Sequence, residues 1–231
     1  MRMDAQKTET NGKQFISDDM KKIMFDDRFG LTEAVLAGQK TMTRRFINCP
    51  KKFKGVEDLM LEFHKRPGRV FYYNCVVCDA DGHELGQFPL PYEIGDVVAI
   101  AQAYKTDEVL TFNAYNKDGS PREDGAKRHK EMLASEGYRN KMFVKAEYMP
   151  HHIRITDLWF ERLQDISEED CLKEGIFFYN QGIDYGFTFR GTRERYGSAR
   201  AAFAKLIDFV SHDHVWDCNP WVVTYTFELM D

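Results

Sequence analysis

Short runs of alternating apolar and polar residues, each closed by glycine or proline, dominate this chain and limit what it can fold into. KKIMF, VFYYNCVVC with the turn DADG, PYEIGDVVAI, MFVKAEYM, HIRITDLWFERL and PWVVTYTFELM all read as strands, because a period of two gives each strand one buried face. VFYYNCVVC and DADG together suggest a hairpin. In PYEIGDVVAI, Gly95 and Asp96 make the corner, and Val97, Val98 and Ile100 form the expected buried run. Many short strands with few helices predict an α+β chain built around a small mixed β-barrel rather than a parallel sheet.

Three segments carry helical signals. RFGLTEAVLAG places Leu31, Ala34 and Val35 on one face and ends at Gly38, which suits a left-handed terminator. In DISEEDCLKEGI, Ser167 is placed to cap, Asp170 to return the capping-box bond, and Gly175 to end the helix with Glu174 in its last turn. SARAAFAKLIDFV is the clearest amphipathic stretch.

At 231 residues the chain can bury a core as one large domain or two small ones. The pattern favours a single domain over 21–231, preceded by a polar flexible tail at 1–20 and interrupted at 105–141 by a polar, turn-rich insertion or lid. A net charge of −5 excludes a global basic field, so any polynucleotide site would be a local patch. No apolar run reaches membrane-spanning length. Five cysteines without a pairable framework point to the reducing cytoplasm.

GQKTMTRR, residues 38–45, follows the first helix. Lys40 and Thr43 stand three apart, so one turn can present both; a threonine hydroxyl needs a base, and a lysine serves as one when burial or nearby cations such as Arg44 and Arg45 depress its pKa. Such a segment is also common solvated surface. Glu174 faces the negative end of a helix dipole, a setting that favours a neutral carboxyl and suits acid–base work, or else it is an ordinary surface glutamate. Cys75 and Cys78 have a zinc or redox spacing, but no second CxxC accompanies them; Cys49, His83, Cys171 and Cys218 are the remaining candidate ligands. Opposite faces of a strand argue for thiols instead. His212 and His214 lie near Asp213 and Asp217 without a catalytic metal spacing, and His151 and His152 are adjacent residues that diverge in a strand. Neither a metal nor a cofactor is expected. Phe71, Tyr72, Tyr73, Tyr104, Trp159 and Trp221 are expected in the barrel core, with one or two rings beside Arg44 or Arg45 available to stack a base.

In order, LTEAVLAGQKTMTRR, PYEIGDVVAI, IRITDLWFERLQDISEEDCLKEGI and WDCNPWVVTYTFEL resemble the ASCH domain family, especially long phage and prophage members. The resemblance implies a PUA-like barrel with flanking helices and an RNA- or nucleoside-binding role. It also implies the alternative of an amidohydrolase that deacetylates N4-acetylcytidine or a related nucleoside through Lys40, Thr43 and Glu174. Lys40, Arg44, Arg45 and Tyr104 would then contact RNA or nucleotide. A ribonuclease and a non-enzymatic protein-interaction module complete the expectations.

Overall fold

The computed structural model describes residues 20–47, 58–64, 72–78 and 84–230. Its main sheet has five strands: β1 (Lys22–Ile23), β2 (Met42–Phe46), β6 (Val97–Ile100), β7 (His152–Arg162) and β10 (Trp221–Leu229). Their order is β1-β6-β7-β10-β2. Only the β1–β6 pair is parallel; the other pairs are antiparallel, with an irregularity in β10 between Thr226 and Phe227. A second antiparallel sheet joins β3 (Asp58–His64), β4 (Tyr72–Cys78) and β5 (Glu84–Pro89), and β8 (Phe177–Gln181) forms a hairpin with β9 (Asp184–Thr188).

The sheet corrects the expected barrel. β1 and β2 stand at its two ends and do not pair with each other, so the fold is α+β with an open sheet. A barrel requires backbone hydrogen bonds between the first and last strands. Here the two ends are joined by a side chain instead: Arg45 on β2 donates from Nη2 to the carbonyl of Met24, one residue beyond β1, at 2.5 Å. The PUA-like architecture, and with it the ASCH resemblance, does not hold.

β10 reads as an alternating strand but is buried almost continuously. Val222, Val223, Thr224 and Tyr225 are all at most 2% exposed, as befits a strand flanked on both sides and covered on both faces. Fully burying each valine contributes about 1.5–3 kcal/mol. The main core packs this strand with Ile153, Ile155, Leu158 and the apolar faces of α1 (Leu31–Leu36), α4 (Glu168–Lys173) and α5 (Ala199–Ser211). The three helices form where the capping and periodicity place them: Leu31, Ala34 and Val35 are buried, and Gly38 turns left-handed at φ +68°.

A smaller core gathers Ala99, Ala101 and Tyr104 with Val144, Tyr148 and Met149. The 105–141 stretch supplies Val109 and Met132 to it from α2 (Asp107–Ala114) and α3 (Gly125–Ala134). Three expectations change in detail. MFVKAEYM forms two 3-10 turns instead of a strand; Val97 is exposed while Ala99 is fully buried; and the β8–β9 hairpin was not anticipated.

Candidate functional site

The site begins at the end of α1. Gly38 allows the chain to reverse, and the Gln39 and Lys40 amides both bond the Ala34 carbonyl, at 2.8 and 2.9 Å. That turn delivers Lys40 to the start of β2. The Thr41 amide bonds the Lys173 carbonyl at 3.0 Å, which ties the same turn to the last residue of α4.

α4 brings the carboxylates. Ser167 caps it by accepting from the Asp170 amide at 3.1 Å; Asp170 turns its own carboxylate to Lys173 and toward Arg44 at 3.1 and 3.5 Å. Glu174 is the helix cap, and Gly175 follows it in a left-handed conformation at φ +104°. A Cβ at Gly175 would sit 3.3 Å from the Leu31 side chain, so glycine here allows the helix end to close over α1.

The result is a buried charge cluster. Lys40 Nζ donates to Glu174 Oε2 at 2.5 Å and to the Glu174 carbonyl at 2.9 Å, with Lys40 2% and Glu174 4% exposed. Arg44 Nη1 donates to the other Glu174 oxygen at 3.1 Å, and its Nε donates to Glu161 Oε1 at 2.8 Å. Arg44 Nη2 also lies 2.7 Å from Glu161 Oε1, but out of line for a hydrogen bond. Thr224 on β10 completes the Glu161 oxygen with a 2.8 Å bond. Burial pulls the Lys40 ammonium below the ordinary lysine range; the Glu174 carboxylate opposes this, while Arg45 and Arg44 reinforce it.

Beside the cluster lies a cavity of about 570 Å³, within the range of small-molecule sites. One wall is apolar, formed by Phe25, Leu31 and the α5 residues Phe203, Leu206, Ile207 and Val210. The other carries Lys40, Thr43, Arg44, Arg45 and Glu174. Neighbouring side chains of a strand diverge, yet Thr43, Arg44 and Arg45 all reach this space, because β2 ends the sheet and the cavity lies off its edge. The segment after β1 and Lys141 with Met142 close the remaining sides. Lys141 holds Asp27 at 2.7 Å and the Phe25 carbonyl, which fastens the end of the 105–141 stretch across the cavity.

Two polar groups lining the cavity have hydrogen-bonding capacity that the described residues do not fill. The Thr43 hydroxyl makes no hydrogen bond among the described residues, and of the Arg45 guanidinium only Nη2 does, its Nε being buried without a partner. Arg45 has no carboxylate partner there either; its guanidinium lies 5.6 Å from the centre of the Phe25 ring.

Lys40, Thr43, Arg44, Arg45 and Glu174 are thus brought together. Tyr104 is not: it is buried in the smaller core, where its hydroxyl accepts from the Lys145 amide at 2.6 Å. Lys40 hydrogen-bonds Glu174 rather than Thr43. The rings beside the cations are Phe25 and Phe203. Sequence reasoning missed both as site residues, together with Glu161; Phe203 did stand on the apolar face of the clearest helix.

Cys49, His83 and the side chains of Cys75 and Cys78 lie outside the described residues. Cys171 is buried and Cys218 exposed, both as thiols. His212 contacts Arg28 at 3.0 Å, and Asp213 accepts from the His214 amide at 2.8 Å, a hydrogen-bonded turn. Among the described residues no group of three or more His, Cys, Asp or Glu could hold a metal ion, and no helix is long and apolar enough to cross a membrane.

No family model, no curated protein and no solved structure matches the chain. With the sheet open and no match, nothing ties it to ASCH or PUA domains or to a phage lineage. The expectations of RNA or nucleoside binding, N4-acetylcytidine deacetylation, ribonuclease activity and a protein-interaction module are withdrawn with them.

Proposed function

We propose that the chain binds a small molecule with an apolar body and a polar head in the cavity between β2, α5 and the segment that follows β1. The observation that carries this reading is the pairing of an apolar wall with two polar lining groups, the Thr43 hydroxyl and the Arg45 guanidinium, whose hydrogen-bonding capacity the described residues do not fill. Polar groups in a recess without protein partners are what fix a ligand's orientation in such sites. Lys40 and Glu174 support the head-group end. As a buried ion pair 2.5 Å apart they hold that end in place, and Thr43 supplies a hydroxyl that can donate or accept. Tyr104 has no part in this reading.

Ligand-observed saturation-transfer NMR tests it, using a mixture of small aromatic carboxylates, phosphates and amides. The wild type should give transfer to some members, and Val210→Trp, which fills the apolar wall from a half-buried position, should remove it. Absence of transfer to every member, or transfer that survives the plug, would overturn the proposal.

A further inference from the structure

We infer that the occupant is a monocarboxylate with an apolar body, an assignment that rests on the small-molecule reading above. Every cation lining the cavity except Arg45 has a carboxylate within 4 Å, and Arg44 has three. Asp26 holds Arg28, Asp27 holds Lys141, Glu174 holds Lys40, and Glu161 lies behind Arg44. Arg45 is the cation left over: its guanidinium has one hydrogen bond, to the Met24 carbonyl, which carries no charge. Arg45 is therefore the lining cation with no carboxylate within 4 Å among the described residues.

That missing partner discriminates between head groups. A neutral head leaves a largely enclosed guanidinium without a counter-charge, and a dianion brings a second negative charge that no lining cation is available to meet. A single carboxylate satisfies Arg45 and leaves the existing pairs intact. The donors fit as well. Thr43 and Arg45 are two apart on β2 and pair with Tyr225 and Val223 of β10, so their side chains leave the same face of the strand. A carboxylate has two acceptor oxygens, one for the threonine O–H and one for the guanidinium N–H. The apolar wall of Phe25 and the α5 side chains receives the rest of the molecule.

Isothermal titration at pH 8 with three matched probes tests the inference: 4-phenylbutanoate, 4-phenylbutanamide and 3-phenylpropyl phosphate, the last a dianion at that pH. The carboxylate should bind the wild type at least about tenfold more tightly than the other two, the scale of a hydrogen bond to a charged group. Arg45→Met should abolish its preference over the amide, whereas Arg45→Lys, which keeps the charge, should retain part of it. An amide or phosphate that binds the wild type as tightly as the carboxylate would refute the charge assignment and leave the small-molecule reading standing. Failure of all three to bind would remove both.

Discussion

Replacing Glu174 by glutamine is the most informative perturbation of the charge cluster. The change preserves volume and removes one negative charge from a side chain that is 4% exposed and accepts from Lys40 at 2.5 Å and from Arg44 at 3.1 Å. One carboxylate oxygen becomes an amide nitrogen, so a donor then faces one of the two cations. Arg44 keeps Glu161, but Lys40 has no other carboxylate among the described residues. Breaking a buried pair in this way costs about 3–5 kcal/mol, a fall in Tm of roughly 6–20 °C for a chain of this size. Urea unfolding of the wild type, Glu174→Gln, Lys40→Met and the double variant measures it. The double variant should lose about 1–3 kcal/mol less than the two single losses combined, since the second change removes the charge the first one strands. A loss below about 1 kcal/mol for Glu174→Gln, or strict additivity, would refute the claim that the pair is buried and coupled.

Lys40 also sets a pH dependence. Its pKa in the folded chain lies below 10.5, so between the two values the unfolded chain binds more protons and stability rises with pH. Wild type should therefore gain stability relative to Lys40→Met as pH rises through that window, and a flat difference would contradict the direction. Gly175→Ala puts a methyl group at φ +104° and 3.3 Å from Leu31; it should cost about 1–3 kcal/mol by chemical denaturation. Gly191→Ala should cost as much or more, since its Cβ would meet the Arg28 carbonyl at 2.5 Å at φ +84°, and a neutral result would show that this backbone yields. Burial raises the Cys171 thiol to about 12, so peptide mapping after iodoacetamide at pH 8 should find Cys218 alkylated and Cys171 intact.

Local rules were legible and closure was not. Gly38 and Gly175 lie where only a left-handed turn continues the chain, and Ser167 caps the helix that carries Glu174; these set the local turns from which Lys40 and Glu174 project toward each other. By contrast, the pairing of β1 with β6 and of β2 with β10 joins segments far apart in sequence, and no short pattern states where a sheet stops. MFVKAEYM carries strand-like apolar spacing, yet the smaller core takes Val144, Tyr148 and Met149 from a coiled path. The roles of Phe25 and Phe203 depend on the same tertiary arrangement. Tyr104 lies in a core, as its ring suggested, but in the smaller one, away from the cavity where the resemblance would have placed it as a contact.

The open sheet accounts for the cavity. Had β1 met β2 through backbone bonds, the strand edges would have satisfied each other and left no recess between them. β1 contributes only two paired residues, Lys22 and Ile23, before the chain departs into the Asp27–Phe29 turn and α1. β2 has β10 on one side and no paired strand on the other among the described residues, and its side chains line that free edge. Met42 is buried and Arg44 draws in carboxylates from β7 and α4. Thr43 and Arg45 remain on the other face with donors that the protein does not use. A strand that ends too early thus accounts for both the volume and the uncompensated charge. Lengthening β1 by redesign of 24–26 should fill the recess and abolish binding even with every cation in place. Titration of such a variant with 4-phenylbutanoate would separate the role of the gap from that of the charges.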